Sequence, residues 1–559
     1  MSLLAGGTNG VEMFPAKFDF DVTTTPDCVK DYVVYNTSLS GSASQASIIA
    51  FNQLYSTQGG AGGLCGSSGP NVYWAYNTGS GIVVTSPVIS GDGSKVAYVE
   101  SVGSGSTGSI LHILQFKVGE GTGISTPNAA PTTLSGAWST CAVGTSCIAN
   151  ITFSGDISNT DLNSSPYYNY NTDSLYVGDS DGRLHKFTGV FLGTPAEVTS
   201  SPWPIQVTAG GAALSSPVMD NGSVNIFVGD NSGAMSYVME AGSTTGTCEA
   251  GSGPGGGNTT PCLGLTLGAT TGAVTTINVT TGASSTSNGT SASGAIIDGP
   301  LVDGTAGVVF VTNGTETGGN NGTLVETNTA LGSATVGDVI ANIGIGGNIA
   351  GGAPIHSGTF DNAYFTSADG TGSLYVCGKD PAKNSRPAIY KLGVNAGILN
   401  TNLTGTILTG LTFNSTEDCS PVTEIENPNA VGGAKEWIFF SIGNNANNDG
   451  FATPNAIPAG SPCSADQAGC MISIDITSGA WPPATVTNTI SLPANPGGAS
   501  TSGIIIDNIA DTTISPQASS IYFSLTVNSA SGTGNPGLPQ CNGVNGIGCA
   551  VKLTQADFF

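Results

Sequence analysis

The segment SSPYYNYNTDSLYVGDSDGRLHKF at 164–187 returns in looser form as SSPVMDNGSVNIFVGDNSGAMSYV at 215–238. In both copies a Ser-Ser-Pro turn leads to a short strand of β-branched and aromatic residues, an Asp- or Asn-containing turn with Gly, and a second strand. A chain that repeats one supersecondary unit is restricted to architectures assembled by stacking that unit, so the repeat constrains the fold more than length does.

Alignment on the turn gives eight starts: TTPDC at 23, TSPVI at 85, SSPYY at 164, SSPVM at 215, DGPLV at 298, GAPIH at 352, CSPVT at 419 and TSGII at 501. Each precedes a strand-like stretch, in order DYVVYN, KVAYVE, SLYVGD, VNIFVGD, GVVFVTN, NAYFTS, EWIFFS and SIYFSL. A further strand often follows, as in SIIAFNQLY, ILHILQF, RLHKF, AMSYV, LYVCG, MISIDI and CAVKL. No comparable stretch has a capped period of 3.6, so the chain is expected to be all-β. At roughly 70 residues per unit, the repeats exceed a four-stranded blade, and the excess lies in Gly-, Ser- and Asn-rich insertions. The expectation is one β-propeller domain over 1–559, closed, with eight blades, or seven if a terminal segment merges with its neighbour. Residues 1–11 read as a flexible N-terminus or expression remnant, and the alternating MFPAKFDFDV within 12–22 as the strand that completes the last blade.

The stretch SSP…SLYVGDSDGRLHKF resembles the repeat of quinoprotein-type (PQQ-like) β-propellers, where a strand of the type xVYVGS precedes an Asp-Gly turn and a strand of the type xLYALD. SIDITSGAW at 473–481 is similar to the D-x-x-T-G…W docking motif of that family with a shortened Gly-to-Trp gap, which implies that Trp481, and with it Trp74, packs between blades. The chain also resembles secreted bacterial propeller proteins rich in Gly and Ser. The alcohol dehydrogenases of the family carry adjacent cysteines, calcium-binding carboxylates and a catalytic Asp. This chain has no Cys-Cys dipeptide, and Arg occurs only at Arg183 and Arg386, so a PQQ site is not expected.

Twelve Lys and Arg face 37 Asp and Glu, for a formal net charge of −25. Such a chain repels phosphate backbones and anionic membranes, and no window offers the roughly 20 apolar residues of a spanning helix. Low charge content (9%) combined with 39% hydrophobic residues argues against disorder and for many short strands joined by Gly-rich turns.

The cysteines are Cys28, Cys65, Cys141, Cys147, Cys248, Cys262, Cys377, Cys419, Cys463, Cys470, Cys541 and Cys549. Neighbour pairing gives 28–65, 141–147, 248–262, 377–419, 463–470 and 541–549, and no C-x₂₋₄-C spacing or Cys/His mixture suggests zinc. Disulfides imply an extracellular, cell-surface or periplasmic location, although MSLLAGGTNG lacks the features of a signal peptide. Sequons such as those at Asn36, Asn150, Asn221 and Asn414 arise from composition alone in so Asn- and Ser-rich a chain.

No G-x-S-x-G or H-E-x-x-H motif is present. With only His112, His185 and His356, acid–base chemistry would fall to carboxylates, and Asp220, Asp298, Asp303 and Asp507 lie near repeat starts. Asp beside a Gly turn more commonly caps its own backbone, and the turns Asp179–Gly182, Asp92–Gly93 and Asp369–Gly370 read as hairpin geometry. His112 and His185 read as structural strand residues, so a three-His metal centre is not expected. Asn445, Asn447 and Asp449 in NNANNDG have the start of a calcium loop, with Ala456 where its last acidic ligand would stand.

The functional expectation is a non-enzymatic binding module, monomeric, for a protein or carbohydrate ligand, with a carbohydrate-active hydrolase or lyase as the alternative. Calcium, if bound at 445–449, is expected to be structural and weak. Millimolar calcium should then raise the thermal midpoint after EDTA treatment, and Asp449→Ala should abolish that rise.

Overall fold

The computed structural model describes residues 2–4, 13–19, 26–56, 63–67, 69–102, 108–156, 164–200, 203–208, 212–222, 224–231 and 235–239 of the N-terminal part. Beyond these it describes 275–277, 284–286, 296–313, 321–329, 339–345, 355–380, 386–399, 411–412, 419–428, 430, 433–442, 469–481, 488–491, 501–508, 519–525 and 549–554. Among the described residues the only helical elements are a 3-10 turn, Trp138–Thr140, and a five-residue helix, Asn362–Thr366. None is long and apolar enough to cross a membrane.

The remaining described elements form eight sheets of three or more strands, numbered here in chain order and antiparallel except for the edge pair Thr132–Thr133 with Cys147–Ile148, and one two-stranded ribbon, Thr275–Ile277 with Ser284–Thr286. The first strands of sheets 1 to 8 are Ala16–Phe18, Val88–Ile89, Tyr167–Asn169, Val218–Asp220, Leu301–Asp303, Thr359–Phe360, Thr423–Asn427 and Ile505–Asn508. The second strands are Tyr32–Asn36, Lys95–Glu100, Ser174–Gly178, Asn225–Gly229, Val308–Asn313, Gly372–Asp380, Lys435–Ile442 and Ser519–Leu525. The third are Ile48–Asn52, Ile110–Gln115, Arg183–Thr188, Met235–Met239, Asn321–Asn328, Arg386–Asn395, Cys470–Asp475 and Cys549–Thr554. Fourth strands complete all sheets but sheet 4, for example Asn71–Tyr76 in sheet 1 and Cys147–Thr152 in sheet 2.

Second strands such as Tyr32–Asn36, Lys95–Glu100 and Ser174–Gly178 are buried at every position, because both faces of each sheet are covered by its neighbours. The hydrophobic clusters follow the chain from sheet to sheet. Tyr32 and Trp74 of sheet 1 pack on Val96 and Tyr98 of sheet 2, and Tyr375 and Ile389 of sheet 6 pack on Ile438 and Ile472 of sheet 7. Val33, Tyr35 and Phe51 of sheet 1 pack on Tyr522 and Ala550 of sheet 8. Successive sheets burying each other face to face is the architecture of a β-propeller. Trp74 is fully buried in the first of these seams, and Trp481 meets Tyr375 edge-on at 5.3 Å. The Asp475-x-Thr477 part of its motif is pinned by Thr477 N–H to Asp475 Oδ1 (2.9 Å) and Glu436 N–H to Thr477 Oγ1 (2.8 Å).

The Ser-Ser-Pro signature is a two-way clamp. The first serine accepts the N–H that ends its own second strand, as in Gly178 N to Ser164 Oγ (2.8 Å) and Gly229 N to Ser215 Oγ (3.0 Å). The second serine accepts from the preceding sheet: Phe14 N to Ser86 Oγ (2.8 Å), Ser86 N to Ser165 Oγ (2.8 Å) and Ser165 N to Ser216 Oγ (2.9 Å).

Several sequence expectations are corrected. Ala16–Phe18, within the segment 12–22 assigned to the last sheet, pairs with Tyr32–Val34 of sheet 1, and Met13-Phe14-Pro15 takes the place of Ser-Ser-Pro there. The strand that pairs with Cys549–Val551 of sheet 8 is Ser2–Leu4, inside the segment read as a flexible terminus. NAYFTS is a helical turn, not a strand: Asp361 accepts Tyr364 N–H as its N-cap, and the second strand of sheet 6 is Gly372–Asp380. The first strand of sheet 6, Thr359–Phe360, follows GAPIH (352–356) after Ser357-Gly358. Disulfides join Cys28 to Cys65, Cys141 to Cys147 and Cys377 to Cys419, and Cys470 is disulfide-bonded. Cys248, Cys262, Cys463 and Cys541 lie outside the described residues, as does the side chain of Cys549.

The seam between sheets 8 and 1 contains buried charge as well as apolar surface. Lys17 Nζ lies 3.2 Å from Asp507 Oδ2, which also accepts the Tyr522 hydroxyl at 3.2 Å, while Lys552 Nζ donates to the Leu54 carbonyl. Burial pushes the Asp507 carboxyl up and both lysines down, against their mutual attraction. Asp507→Ala leaves Lys17 with Asp19 as its remaining ion-pair partner but removes a buried acceptor of Lys17 and Tyr522, so it is expected to destabilise by about 2–3 kcal/mol in urea unfolding. Lys17→Met/Asp507→Leu should cost less than the sum of the two single changes, since it removes both charges together.

Candidate functional site

The positions that hold successive sheets together along the first strands carry Phe14, Ser86, Ser165, Ser216, Gly299, Ser357 and Gly503. Ser357 Oγ donates to Gly299 O (2.8 Å), and Gly503 N–H donates to Met13 O (3.0 Å). A side chain at Gly503 is impossible without displacing Phe14, whose ring would stand 2.3 Å from its Cβ. These positions contain no titratable group, and their hydroxyls serve backbone contacts.

The densest polar cluster lies where sheets 2 and 3 meet. Arg183–Thr188 places His185 with its side chain fully buried, Nδ1 2.7 Å from Glu197 Oε1 and Nε2 3.1 Å from Asp179 Oδ2. Burial alone would lower the imidazole pKa, but hydrogen bonds to the two carboxylates raise it to about 9. Asp156, Asp179 and Asp181 each bring a carboxylate oxygen within 4.8 Å of the others, a spacing that could hold a cation. Arg183 Nη1 stands 3.6 Å from both Asp179 and Asp181, so the guanidinium and the imidazolium already supply positive charge there. Ser154 donates to Glu197 rather than to His185, and both ring nitrogens are engaged by carboxylates. No nitrogen remains to accept a proton from a nucleophile, so the group is not a hydrolytic triad.

A second cluster lies between sheets 6 and 7. On Thr423–Asn427 the side chains of Glu424 and Glu426 share one face, and Glu426 is directly opposite Glu436 on the second strand. Burial, a hydrogen bond to Glu436 and the nearby Glu436, Asp361 and Glu426 charges hold the Glu424 carboxyl far above the usual carboxylate range. The Glu436 carboxyl is also raised, chiefly by burial, although it accepts the Asn362 N–H at 2.5 Å. Two carboxyls joined this way share one proton. The sequence analysis missed them; the signal was the Glu-Ile-Glu alternation of TEIEN, with acids where a strand covered on both faces should be apolar.

The carboxylates singled out from sequence are dispersed. Asp220 accepts Gly222 N–H and Asp303 accepts Thr305 and Ala306 N–H, each capping its own turn, and Asp303 also accepts the Tyr364 hydroxyl. Asp298 accepts Ser357 N–H and lies 3.2 Å from His356 Nδ1, while Asp507 is locked into the seam of sheets 8 and 1. Asp179 caps the turn to Arg183, with Gly182 at φ +81°, and Asp92 accepts Ser94 N–H in the turn before Lys95. Asp369 accepts the Ser367 hydroxyl in the turn that ends at Gly370. His112 bridges Glu100 and Asn150 at 2.7 and 2.8 Å. Asn445, Asn447 and Asp449 lie outside the described residues.

No protein-family model matches the chain, and no curated protein matches it. Among solved structures it is similar to BamB from Moraxella catarrhalis, at 10% identity and TM-score 0.36 over 96% of each chain. It is also similar to Sqt1 from Saccharomyces cerevisiae, at 9% identity and TM-score 0.43 over 98% of this chain and 100% of that one. With Sqt1 from Chaetomium thermophilum the identity is 9% and the TM-score 0.47, over 94% of this chain and 91% of that one.

The two clusters set the pH dependence of stability. Glu424 and His185 both have folded pKa values above their unfolded ones, so each stabilises fully below its unfolded pKa and loses that contribution as pH rises through the folded value. The thermal midpoint should therefore fall between pH 5 and pH 8, and Glu424→Gln should shrink that fall. An unchanged pH profile in this variant would rule out the shared proton.

Proposed function

We propose that the chain is one closed propeller of eight blades, exported and monomeric, which works as a non-enzymatic binding module for a protein ligand. Closure is supported by the apolar clusters, which run through the sheets and return from sheet 8 to sheet 1, and by the pairing of Ser2–Leu4 with Cys549–Val551. Export is supported by the disulfides Cys28–Cys65, Cys141–Cys147 and Cys377–Cys419.

The observation that carries the binding reading is the chemistry of the first-strand positions. Phe14, Ser86, Ser165, Ser216, Gly299 and Ser357 are half-buried and carry no charge, and the described carboxylates nearby are committed to backbone N–H groups, lysines or each other. Glycoside hydrolysis needs two carboxyls about 5–10 Å apart with the substrate between them. Glu424 and Glu436, whose carboxyls are both held above the usual range, chiefly by burial, lie on two paired strands of one sheet.

Testing the purified protein on a glycan array and on a panel of chromogenic glycosides separates the two readings, and a carbohydrate ligand would register on the array. No turnover above background is expected. Turnover that Glu424→Gln or Glu436→Gln abolishes would replace the binding reading with the hydrolase.

A further inference from the structure

The seam between sheets 1 and 8 brings an amine and two carboxyls into contact from opposite ends of the chain. Lys17 stands on the first strand of sheet 1, Ala16–Phe18, and Asp507 on the first strand of sheet 8, Ile505–Asn508. Lys17 Nζ lies 3.2 Å from Asp507 Oδ2 and touches Asp19 Oδ1, and the Lys17 and Asp507 side chains are 6% and 0% exposed. The two Asp507 oxygens are unequal. Oδ2 accepts the Tyr522 hydroxyl at 3.2 Å, whereas Oδ1 has no hydrogen-bond partner among the described residues, and Nζ makes no well-directed hydrogen bond. A buried ion pair is stable only when hydrogen bonds satisfy its remaining atoms, and this pair leaves one atom on each side unsatisfied.

The surroundings favour the uncharged forms of both groups. Burial holds the Asp507 carboxyl up, toward the acid, and the Lys17 amine down, toward the free base, against the attraction between them and that of Asp31 for Lys17. The other charged neighbours have partners of their own: Lys552 Nζ donates to Leu54 O, and Asp31 accepts the Tyr55 hydroxyl at 2.8 Å. Asp19 differs from Asp507 in being 21% exposed, so a proton that it takes up can pass to solvent. A free amine held against a carboxylic acid has the reactants of an amide bond in place. Such fixed contact is equivalent to a concentration on the order of 10⁵ M or more, and a seam closed to bulk water keeps the reverse hydrolysis slow.

We propose that Lys17 and Asp507 join in an intramolecular isopeptide bond that locks sheet 1 to sheet 8, with Asp19 as proton acceptor and Tyr522 polarising the acyl oxygen. Lys17 Nζ attacks the carboxyl carbon of Asp507, and the charge that develops on Oδ2 is met by the Tyr522 hydroxyl. Asp19 takes the proton that Nζ sheds, the C–Oδ1 bond breaks, and Oδ1 leaves as water with its own proton and the one from Nζ. Amine plus carboxylic acid gives amide plus water, so no oxidant, nucleotide or other co-reactant is needed. A cavity lined by Leu54, Tyr522 and Lys552 has room for the water released. The bond spans nearly the whole chain, and a cross-link that closes a long loop restricts the unfolded state most. This inference stands apart from the binding-module reading and does not depend on it.

The test is the mass of the purified full chain after reduction and denaturation. The chain should be one water lighter than its unlinked sequence, and protease digestion with tandem mass spectrometry should place the bond between the peptides that carry Lys17 and Asp507. A wild-type chain at its full unlinked mass overturns the proposal, and so does a link mapped to Lys552 with Asp507 or to Lys17 with Asp19. Lys17→Met should restore the full mass. Asp19→Ala keeps both bonding partners and should slow linking about a hundredfold, leaving freshly purified chain mostly unlinked. Complete linking in that variant would overturn the part given to Asp19. The wild-type mass and the mapped bond decide the proposal even if a variant fails to fold.

Discussion

Everything in this fold depends on each sheet having two apolar faces and only its neighbours to cover them. A blade with a strand such as Ser174–Gly178, buried at all five positions, cannot exist with one side in water. Sheets 1 and 8 pack on each other, and the seam between them is one of those where buried charge joins apolar packing. Val33, Tyr35 and Phe51 against Tyr522 and Ala550 supply burial, which is non-directional. Lys17 and Asp507 supply position, because a pair 3.2 Å apart cannot slide without separating two desolvated charges.

Scarcity of cations explains how the acids are used. With 12 Lys and Arg for 37 Asp and Glu, most carboxylates cannot form an ion pair, so they accept backbone N–H groups, as Asp173 and Asp303 do, or share a proton, as Glu424 and Glu436 do. At the seam of sheets 2 and 3, Arg183 and His185 pair with Asp179, Asp181 and Glu197. Carboxylates engaged in this way stabilise turns and seams and have little freedom for proton transfer to a substrate.

Much of the strand content could be read from sequence, for local reasons. KVAYVE, SLYVGD and EWIFFS are β-branched and aromatic runs that have few alternatives, and Asp-Ser-Asp-Gly closes a hairpin because the positive φ of Gly182 and the carboxylate of Asp179 act within the turn itself. NAYFTS misled because its composition is strand-like while Asp361, one residue earlier, caps a helical turn. The acid pair was hidden because Glu424 and Glu436 come together only through the register of the two antiparallel strands that carry them.

The sequence by itself determined the repeat, the all-β class, the net negative charge and the neighbour pairing of Cys28 with Cys65, Cys141 with Cys147 and Cys377 with Cys419. These rest on residue type and short spacing. Only the tertiary structure decided which N-terminal strand joins which sheet, because Ser2–Leu4 and Ala16–Phe18 are both short edge strands and their partners lie at opposite ends of the chain. It also decided that Ser165 and its counterparts hold adjacent sheets together. Those facts depend on the order in which strands cross the ring, a long-range property that no local pattern of residues encodes.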